Sequence, residues 1–545
     1  MVVPTVSSQH REQPDGGVTG RWRWLRLPAV AVWLRMAMAV AAGMALYWSS
    51  PPRNLWWLAP LAVAGFAAVV HGRRARGGFG YGLLFGLAYM LPLLGWLLDF
   101  LGAQFGPWPW LGVATAEALF FGVAGAGMAR VSRLPAAPVW MAAVFVGAEL
   151  LRSTVPFGGF PWGRLAFTQA GGALLPIAAL GGAGLVTFAV VLLGAALAEF
   201  VGRVLRIRRR PRRLIAPAVA MVVPVAVAVA ATPLVGTDAN AGTARVAVVQ
   251  GDAPNIGLDL LYRDEVLHDN HIRAAEELVA DVRAGRVPLP DFVVLPEQVG
   301  SWGPARRDPA LSRIAAQLGV PLVVGGIAHS ADGELSNRIL RWDPERGATA
   351  EYVKQHLVPF AETIPLRSVA SAVSPFVDRF KQDMVPGDEP GVFTVGPAKL
   401  GVGLCYDVAF GDVFRGATRA GATMLAIPTN NAWYGHSEMS YQQLAMARLR
   451  AVEHSRATVV AATSGVSAIV QPDGTVTQRT EQFTARTLMA EVPLRSTLTP
   501  ATRLGPLPTW TIAALGLAAV AYTLWRRPRW RTGGSRDAAG GGIAQ

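Results

Sequence analysis

PIAALGGAGLVTFAVVLLGAALAEF, residues 176–200, carries no charge before Glu199. A run of about 20 apolar residues matches the thickness of a bilayer's hydrocarbon core, so this stretch reads as a membrane-crossing helix. Six similar runs lie in the first 235 residues, near 27–48, 55–70, 80–98, 110–129, 137–151 and 214–232, and an eighth lies near 509–525. The second and fifth are short. The first is long and lacks a small-residue cleavage pattern, so it is expected to stay in place rather than act as a cleaved signal peptide. With 52% hydrophobic and only 16% charged residues, the 545-residue chain is not composed like an ordinary soluble enzyme. The expectation is a membrane α-helical bundle of eight transmembrane helices.

The net charge of +14 would suit nucleic acid, but the arginines are distributed for another purpose. They cluster as RWRWLR (21–26), GRRARG (72–77), RVSR (130–133), RVLRIRRRPRR (203–213) and RRPRWR (526–531). If eight spans alternate, every cluster falls on one side, and the intervening loops carry few cations. That asymmetry places both termini in the cytoplasm and the basic loops against anionic headgroups. Fourteen of the 17 tryptophans lie in or beside the runs, where an interfacial belt belongs. The expected order is a basic cytoplasmic tail (1–26), seven spans (27–235), an extracytoplasmic domain (236–505), the eighth span (506–525) and a cytoplasmic tail (526–545). The ends 1–20 and 533–545 are polar or glycine-rich and are expected to be disordered.

From about Arg245 the character changes. RVAVVQ (245–250), DFVVLPE (291–297), PLVVGGI (321–327), LGVGLC (400–405), ATMLAIP (422–428) and ATVVAAT (457–463) read as buried strands. Segments 264–284, 308–318 and 437–455 carry helical spacing between them. Alternating strands and helices over about 250 residues imply a layered α/β domain with its own core.

Three of these elements end in residues that packing does not explain. DFVVLPEQ runs into Glu297, and LGVGLCYD runs into Cys405, the only cysteine in the chain. Between them EYVKQHLVPFAE (351–362) presents Lys354, one of three lysines among 50 basic residues; the other two, Lys381 and Lys399, read as surface residues. Lysine in so arginine-biased a chain suggests a need for a compact, tunable ammonium. One cysteine outside the cytoplasm forms no internal disulfide and stays a thiol. Taken singly, each residue has an ordinary explanation: a small buried hydrophobe, a solvated carboxylate, a surface cation. Together they form an acyl-transfer set: a thiol nucleophile, a carboxylate base, and an ammonium with a backbone N–H for the oxyanion. Cys–His chemistry stays open, since His268, His271, His356, His436 and His454 are available. Zinc chemistry lacks ligand-spaced clusters, and GGAG near 181–184 lies in or beside an apolar run rather than forming a phosphate loop.

At these residues a resemblance emerges. Residues 244–495 resemble a carbon–nitrogen hydrolase (nitrilase-superfamily) domain, and the chain from about 27 to 525 resembles the bacterial apolipoprotein N-acyltransferase family. The matching stretches are FGGFPWGRLAFTQ (157–169), VAVVQGDAP (246–254), LPEQ, VKQHLVPFAE, the CYD segment and TNNAWYGHSEMSYQQLAMARLRAVE (429–453).

The resemblance implies an αββα sandwich outside a multi-span bundle of the bacterial cytoplasmic membrane. It implies transfer of a fatty acyl chain from a phospholipid, through a Cys405 thioester, to the α-amine of a lipoprotein's diacylglyceryl-cysteine. Glu297 would be the base and Lys354 the oxyanion's cation; Glu362 would orient the site and the Tyr406 N–H would complete the oxyanion hole. Asp407 stands where the family commonly has Glu, and a tryptophan common after the VQGD-like stretch is absent, with Leu260, Leu261 and Tyr262 nearby. Phe157, Phe160, Trp162 and Arg164 in the loop 151–169, with Glu149 and Arg152, and Asn431 and Trp433, are candidate substrate contacts. No cofactor or metal is implied; the partners would be a phospholipid, a diacylglyceryl-apolipoprotein and the bilayer, with no nucleic acid. A membrane-tethered amidase needs only one span, and a transporter or scaffold does not need Glu297, Lys354 and Cys405 together.

Overall fold

A computed structural model describes residues 21–206, 211–255, 257, 264–373 and 382–526. The expected disorder of the chain ends, part of the basic loop 203–213, Lys381, and Leu260, Leu261 and Tyr262 lie outside the described residues.

The first half of the chain is helical: α1 (Arg21–Trp48), α2 (Leu58–Val70), α3 (Ala75–Leu93), α4 (Trp96–Phe105), α5 (Trp108–Val131), α6 (Ala137–Arg152), α7 (Ala178–Arg206) and α8 (Ile215–Ala231). Five segments among the described residues are long and apolar enough to cross a membrane: Val30–Trp48, Trp108–Val131, Leu175–Leu205, Arg212–Val235 and Leu507–Trp525. This differs from the eight apolar runs for identifiable reasons. At 13 residues α2 extends about 20 Å, short of the roughly 30 Å core. The run expected over 80–98 begins earlier, at Ala75, and breaks after Leu93, where α4 leaves at 80°; the bent pair would make a sixth span. Pro92, which lacks an N–H, and Gly95 stand at the break. The fifth run is a 16-residue helix, α6.

In a bilayer, helices gain little from excluding lipid and associate by close backbone approach. Gly78, Gly82 and Gly86 line one face of α3, and Gly122 and Gly125 answer from α5. A Cβ at Gly82 would collide with the Phe121 carbonyl, and one at Gly125 with that of Gly78. In α7, Gly182 takes φ +67° and ψ −165°, a conformation that essentially only glycine adopts, and kinks the helix. The GGAG stretch is therefore a bend inside the span.

The rest of the chain carries β1 (Thr243–Gln250), α9 (Asp264–Arg283), β2 (Phe292–Val294), β3 (Gly300–Trp302), α10 (Pro309–Leu318), β4 (Leu322–His329), β5 (Leu335–Asp343), β6 (Gly347–Val353) and α11 (Arg367–Val373). Then come β7 (Gly391–Val395), β8 (Ala398–Val402), α12 (Asp412–Arg419), β9 (Met424–Thr429), α13 (Met439–His454), β10 (Thr458–Ala462), β11 (Ala468–Val470), β12 (Val476–Arg479), β13 (Arg486–Pro493), α14 (Pro500–Leu504) and α15 (Leu507–Trp525). One sheet has the order β13-β1-β2-β4-β5-β6, with β3 beside β4; the other runs β12-β11-β10-β9-β8-β7. Side-chain alternation sorts the layers. Val246 and Val248 of β1 share a core with Leu400, Val402 and Ile427 of the second sheet, whereas Ala247 and Val249 pack on Leu278 of α9 and Leu311 and Ile314 of α10. Phe414 of α12 and Met446 and Leu449 of α13 close the far side. The result is an αββα sandwich, and α13 also packs against α7 of the membrane bundle.

Candidate active site

The parallel strands β2 and β8 deliver their C-terminal ends, and so Glu297 and Cys405, to the same region between the sheets. Ligand sites in open α/β sheets favour such ends. Lys354, which directly follows β6, is 1% exposed, and its ammonium bridges two carboxylates, Glu297 Oε1 at 3.0 Å and Glu362 Oε1 at 2.9 Å. The Asn337 side-chain amide of β5 donates to the same two oxygens, at 2.6 and 2.7 Å. The Asn430 N–H donates to Glu297 Oε2 at 2.8 Å, and the Val358 N–H to Glu362 Oε2 at 2.8 Å. Burial alone would lower the Lys354 pKa, but the charges of Glu297 and Glu362 outweigh it and hold the ammonium well above its ordinary value. A buried charge survives when it is paired and hydrogen-bonded on several sides, as here.

Cys405 is buried, and its φ of +42° is uncommon for a residue with a side chain. Burial pushes its thiol up to about 12, with the Glu297 charge adding to the rise and Lys354 opposing it. The sulfur therefore rests as a thiol, which could serve as a nucleophile only if a base took its proton. Gln443 of α13 donates to Sγ at 3.5 Å.

Asp407 reaches its partners although it is shorter than Glu. Its carboxylate accepts from the Tyr352 hydroxyl at 2.8 Å, the His356 N–H at 2.9 Å and the Leu404 N–H at 2.9 Å. It thereby ties the segment after Lys354 to the turn that carries Cys405. Burial raises its pKa, against the pull of the Lys354 charge.

The loop 151–169 docks onto this turn. Tyr406 donates from its hydroxyl to the Gly159 carbonyl at 3.4 Å, and its ring stacks on Phe160 at 6.3 Å between centroids. Phe160 stacks in turn on Trp162 at 6.1 Å. Trp162 is buried and donates to Gln442 Oε1 at 2.6 Å, while Gln442 donates to the Leu93 carbonyl at 3.0 Å, where α3 breaks. Arg152 donates to Glu117 at 2.7 Å and to the carbonyls of Phe160 and Trp162. Glu149 accepts from Arg164 at 3.0 Å, the Leu165 N–H at 3.0 Å and Thr187 at 2.8 Å. The side chains of Glu149 and Arg152 thus bind the loop itself. Phe157, at 53% exposure, faces outward.

Asn431 is buried and donates to Gln443 Oε1 at 2.8 Å; Trp433 stacks on Phe100 of α4, 6.0 Å between centroids. Sequence reasoning missed Asn337, Gln443 and Asn430. For Gln443 and Asn430 the available signal was a position inside the TNNAWYGHSEMSYQQ stretch; Asn337 lies in β5, whose sequence LSNRILRWD presents no continuous apolar run.

Two family models match in chain order: "Apolipoprotein N-acyltransferase N-terminal domain" over residues 42–196 and "Carbon-nitrogen hydrolase" over residues 269–499. The apolipoprotein N-acyltransferase of Mycolicibacterium smegmatis is 38% identical over 517 residues, spanning 91% of this chain and 86% of that one. That of Chromobacterium violaceum is 31% identical over 91% of this chain and 94% of its own. Among solved structures, Saccharomyces cerevisiae Nit3, a nitrilase-superfamily member, covers 46% of this chain and 90% of its own at 17% identity and a TM-score of 0.34. With two domain matches in order and near full-length relatives at this identity, the chain belongs to the apolipoprotein N-acyltransferase family.

Proposed function

We propose that the protein N-acylates lipoproteins in two steps on Cys405, with a membrane phospholipid as donor and a diacylglyceryl-apolipoprotein as acceptor. In the first step Glu297 takes the Sγ proton as sulfur attacks an acyl-ester carbonyl of the phospholipid. Glu297 Oε2 accepts from the Asn430 N–H alone among the described residues, which leaves it a lone pair for that proton. The negative oxygen of the tetrahedral intermediate is stabilised by the Lys354 ammonium and the Tyr406 N–H. The C–O bond breaks, the proton passes to the leaving glycerol oxygen, a lysophospholipid departs and a Cys405 thioester remains. In the second step the α-amine of the acceptor attacks the thioester and gives a proton to Glu297. The C–S bond breaks, an amide forms, and sulfur recovers the proton.

The observation that carries this reading is the buried Lys354 held between Glu297 and Glu362 beside the chain's one thiol, with the Cys405 turn packed against a loop of the membrane bundle. Glu362 holds Lys354 rather than reacting, and the arginine asymmetry supports an extracytoplasmic placement of residues 236–505 with both termini inside. The test is mass spectrometry of Cys405 after incubation of the enzyme with phospholipid vesicles. One acyl chain on Cys405 is expected, discharged by a diacylglyceryl-cysteine peptide. Transfer to the peptide by a Cys405→Ala variant would overturn the reading.

A further inference from the structure

Gln443 is 2% exposed, projects from α13, and has no part in the two steps above. Its amide meets three groups. At one end Asn431 donates to Oε1 at 2.8 Å and the Thr429 hydroxyl donates to Oε1 at 3.1 Å. At the other end Nε2 lies 3.5 Å from Cys405 Sγ. The orientation of a side-chain amide is fixed by its partners rather than by its outline. The end of Asn431 that meets Gln443 also lies 3.4 Å from Met439 Sδ, which accepts but cannot donate, so it is the Asn431 nitrogen, and the end of Gln443 that meets it is the oxygen. The NH2 group is thereby turned to the sulfur.

We infer that Gln443 is a catalytic residue whose amide N–H stabilises negative charge on Cys405 Sγ, with Asn431 as the positioning residue that fixes its orientation. The Thr429 hydroxyl is a neighbour shared by Gln443 and the sulfur. The inference rests on the reading of Cys405 as the nucleophile. Charge develops on sulfur twice, when the proton leaves for Glu297 during attack on the donor ester and when the C–S bond breaks during attack by the amine. A donor fixed in a buried site acts on that charge without reorganising. Asn431, an expected substrate contact, is engaged in this network.

The experiment uses the full-length enzyme in detergent and measures alkylation of Cys405 by iodoacetamide, a reaction of the thiolate. Gln443→Met keeps the volume and removes the donor. Its alkylation rate should fall roughly ten- to a hundred-fold below the parent's, the scale of a hydrogen bond to a charged group, with discharge of acyl-Cys405 slowed alongside. Asn431→Ala leaves Gln443 in place but frees its amide to turn, and a smaller loss is expected. A Gln443→Met enzyme that unfolds at the parent's temperature and alkylates at the parent's rate overturns the inference. If Gln443→Met does not fold, Asn431→Ala decides, and a parental rate there overturns it too. Because alkylation requires no lipid, a parent enzyme that alkylates normally yet never carries an acyl chain would sink the proposed function and leave this inference standing on its own measurement.

Discussion

At the scale of single residues the site is a problem in keeping charge alive inside a protein. Lys354 stays protonated because two carboxylates flank it, and each carboxylate is held by Lys354, Asn337 and a backbone N–H. Removing one member leaves another buried charge unpaired, which costs more than the lost bond. Glu297→Gln and Lys354→Met should each lower acylation of Cys405 by several powers of ten. The double variant should cost little more than the worse single one, since groups acting as a unit are non-additive. Single-turnover acylation rates check this, and near-normal rates in either variant would remove that residue from the proposed chemistry. Asn337→Leu tests the support: with both carboxylates short of a donor, activity should fall about ten- to a hundred-fold, and Asn337→Asp should not restore it. Glu297, Lys354 and Cys405 stood out in the sequence because they follow strands in a chain poor in lysine and cysteine. Asn337 and Gln443 did not: Asn337 lies in β5, whose polar positions interrupt any apolar run, and Gln443 was marked only by its place inside the matching stretch 429–453.

At the scale of elements, the strands that read correctly were those carrying or adjoining continuous apolar runs: β1, β2, β4, β8, β9 and β10. The edge strands β6 and β12 are exposed along much of their length, and β5 mixes arginine and asparagine with its apolar positions, so none presents a continuous apolar run. The break between α3 and α4 was hidden because hydropathy does not register direction, and a proline and a glycine inside an apolar run leave its average high. Contact between α3 and α5 depends on glycine at a four-residue spacing. Gly82→Leu should push the two backbones apart and cost about 1–3 kcal/mol, read as a lower midpoint of thermal unfolding in detergent. In α9, burial holds the His271 imidazole down to about 4 from 6.5. Between those values the unfolded chain binds a proton that the folded one refuses. Stability is therefore full above pH 6.5 and falls toward pH 4, by roughly 3 kcal/mol from this residue, with no further loss below. His271→Gln should flatten that part of a plot of unfolding midpoint against pH; an unchanged slope would assign the acid sensitivity to other groups.

At the scale of the whole molecule, the carbon–nitrogen hydrolase domain and the helical bundle meet through specific pairs. Trp162 holds Gln442, Gln442 holds the Leu93 carbonyl, Arg53 pairs with Glu438, and Tyr406 reaches Gly159. A hydrolase of small soluble substrates would not require its nucleophile's neighbour to sit on a membrane loop. The eight-run reading and its sidedness are open to a direct measurement: a reporter fused after Thr237 should be active only outside the cytoplasm, and one after Arg76 only inside. Both reporting from one side would overturn the arrangement. The junction itself yields a sharper separation, because two neighbouring aromatics occupy different positions in it. Phe160 lies partly exposed between Tyr406 and Trp162, where an acyl chain entering from the bilayer would pass. Trp162 is buried and hydrogen-bonded to Gln442 of α13. Phe160→Ala should therefore slow acylation of Cys405 by phospholipid while leaving alkylation by iodoacetamide unchanged. Trp162→Ala removes a buried indole and strands the Gln442 oxygen, so it should lower the unfolding midpoint and slow both reactions, by about 3–5 kcal/mol in stability. Equal losses of both reactions in Phe160→Ala would make the loop a support for the fold, and no loss of either would place the lipid's route elsewhere on the bundle.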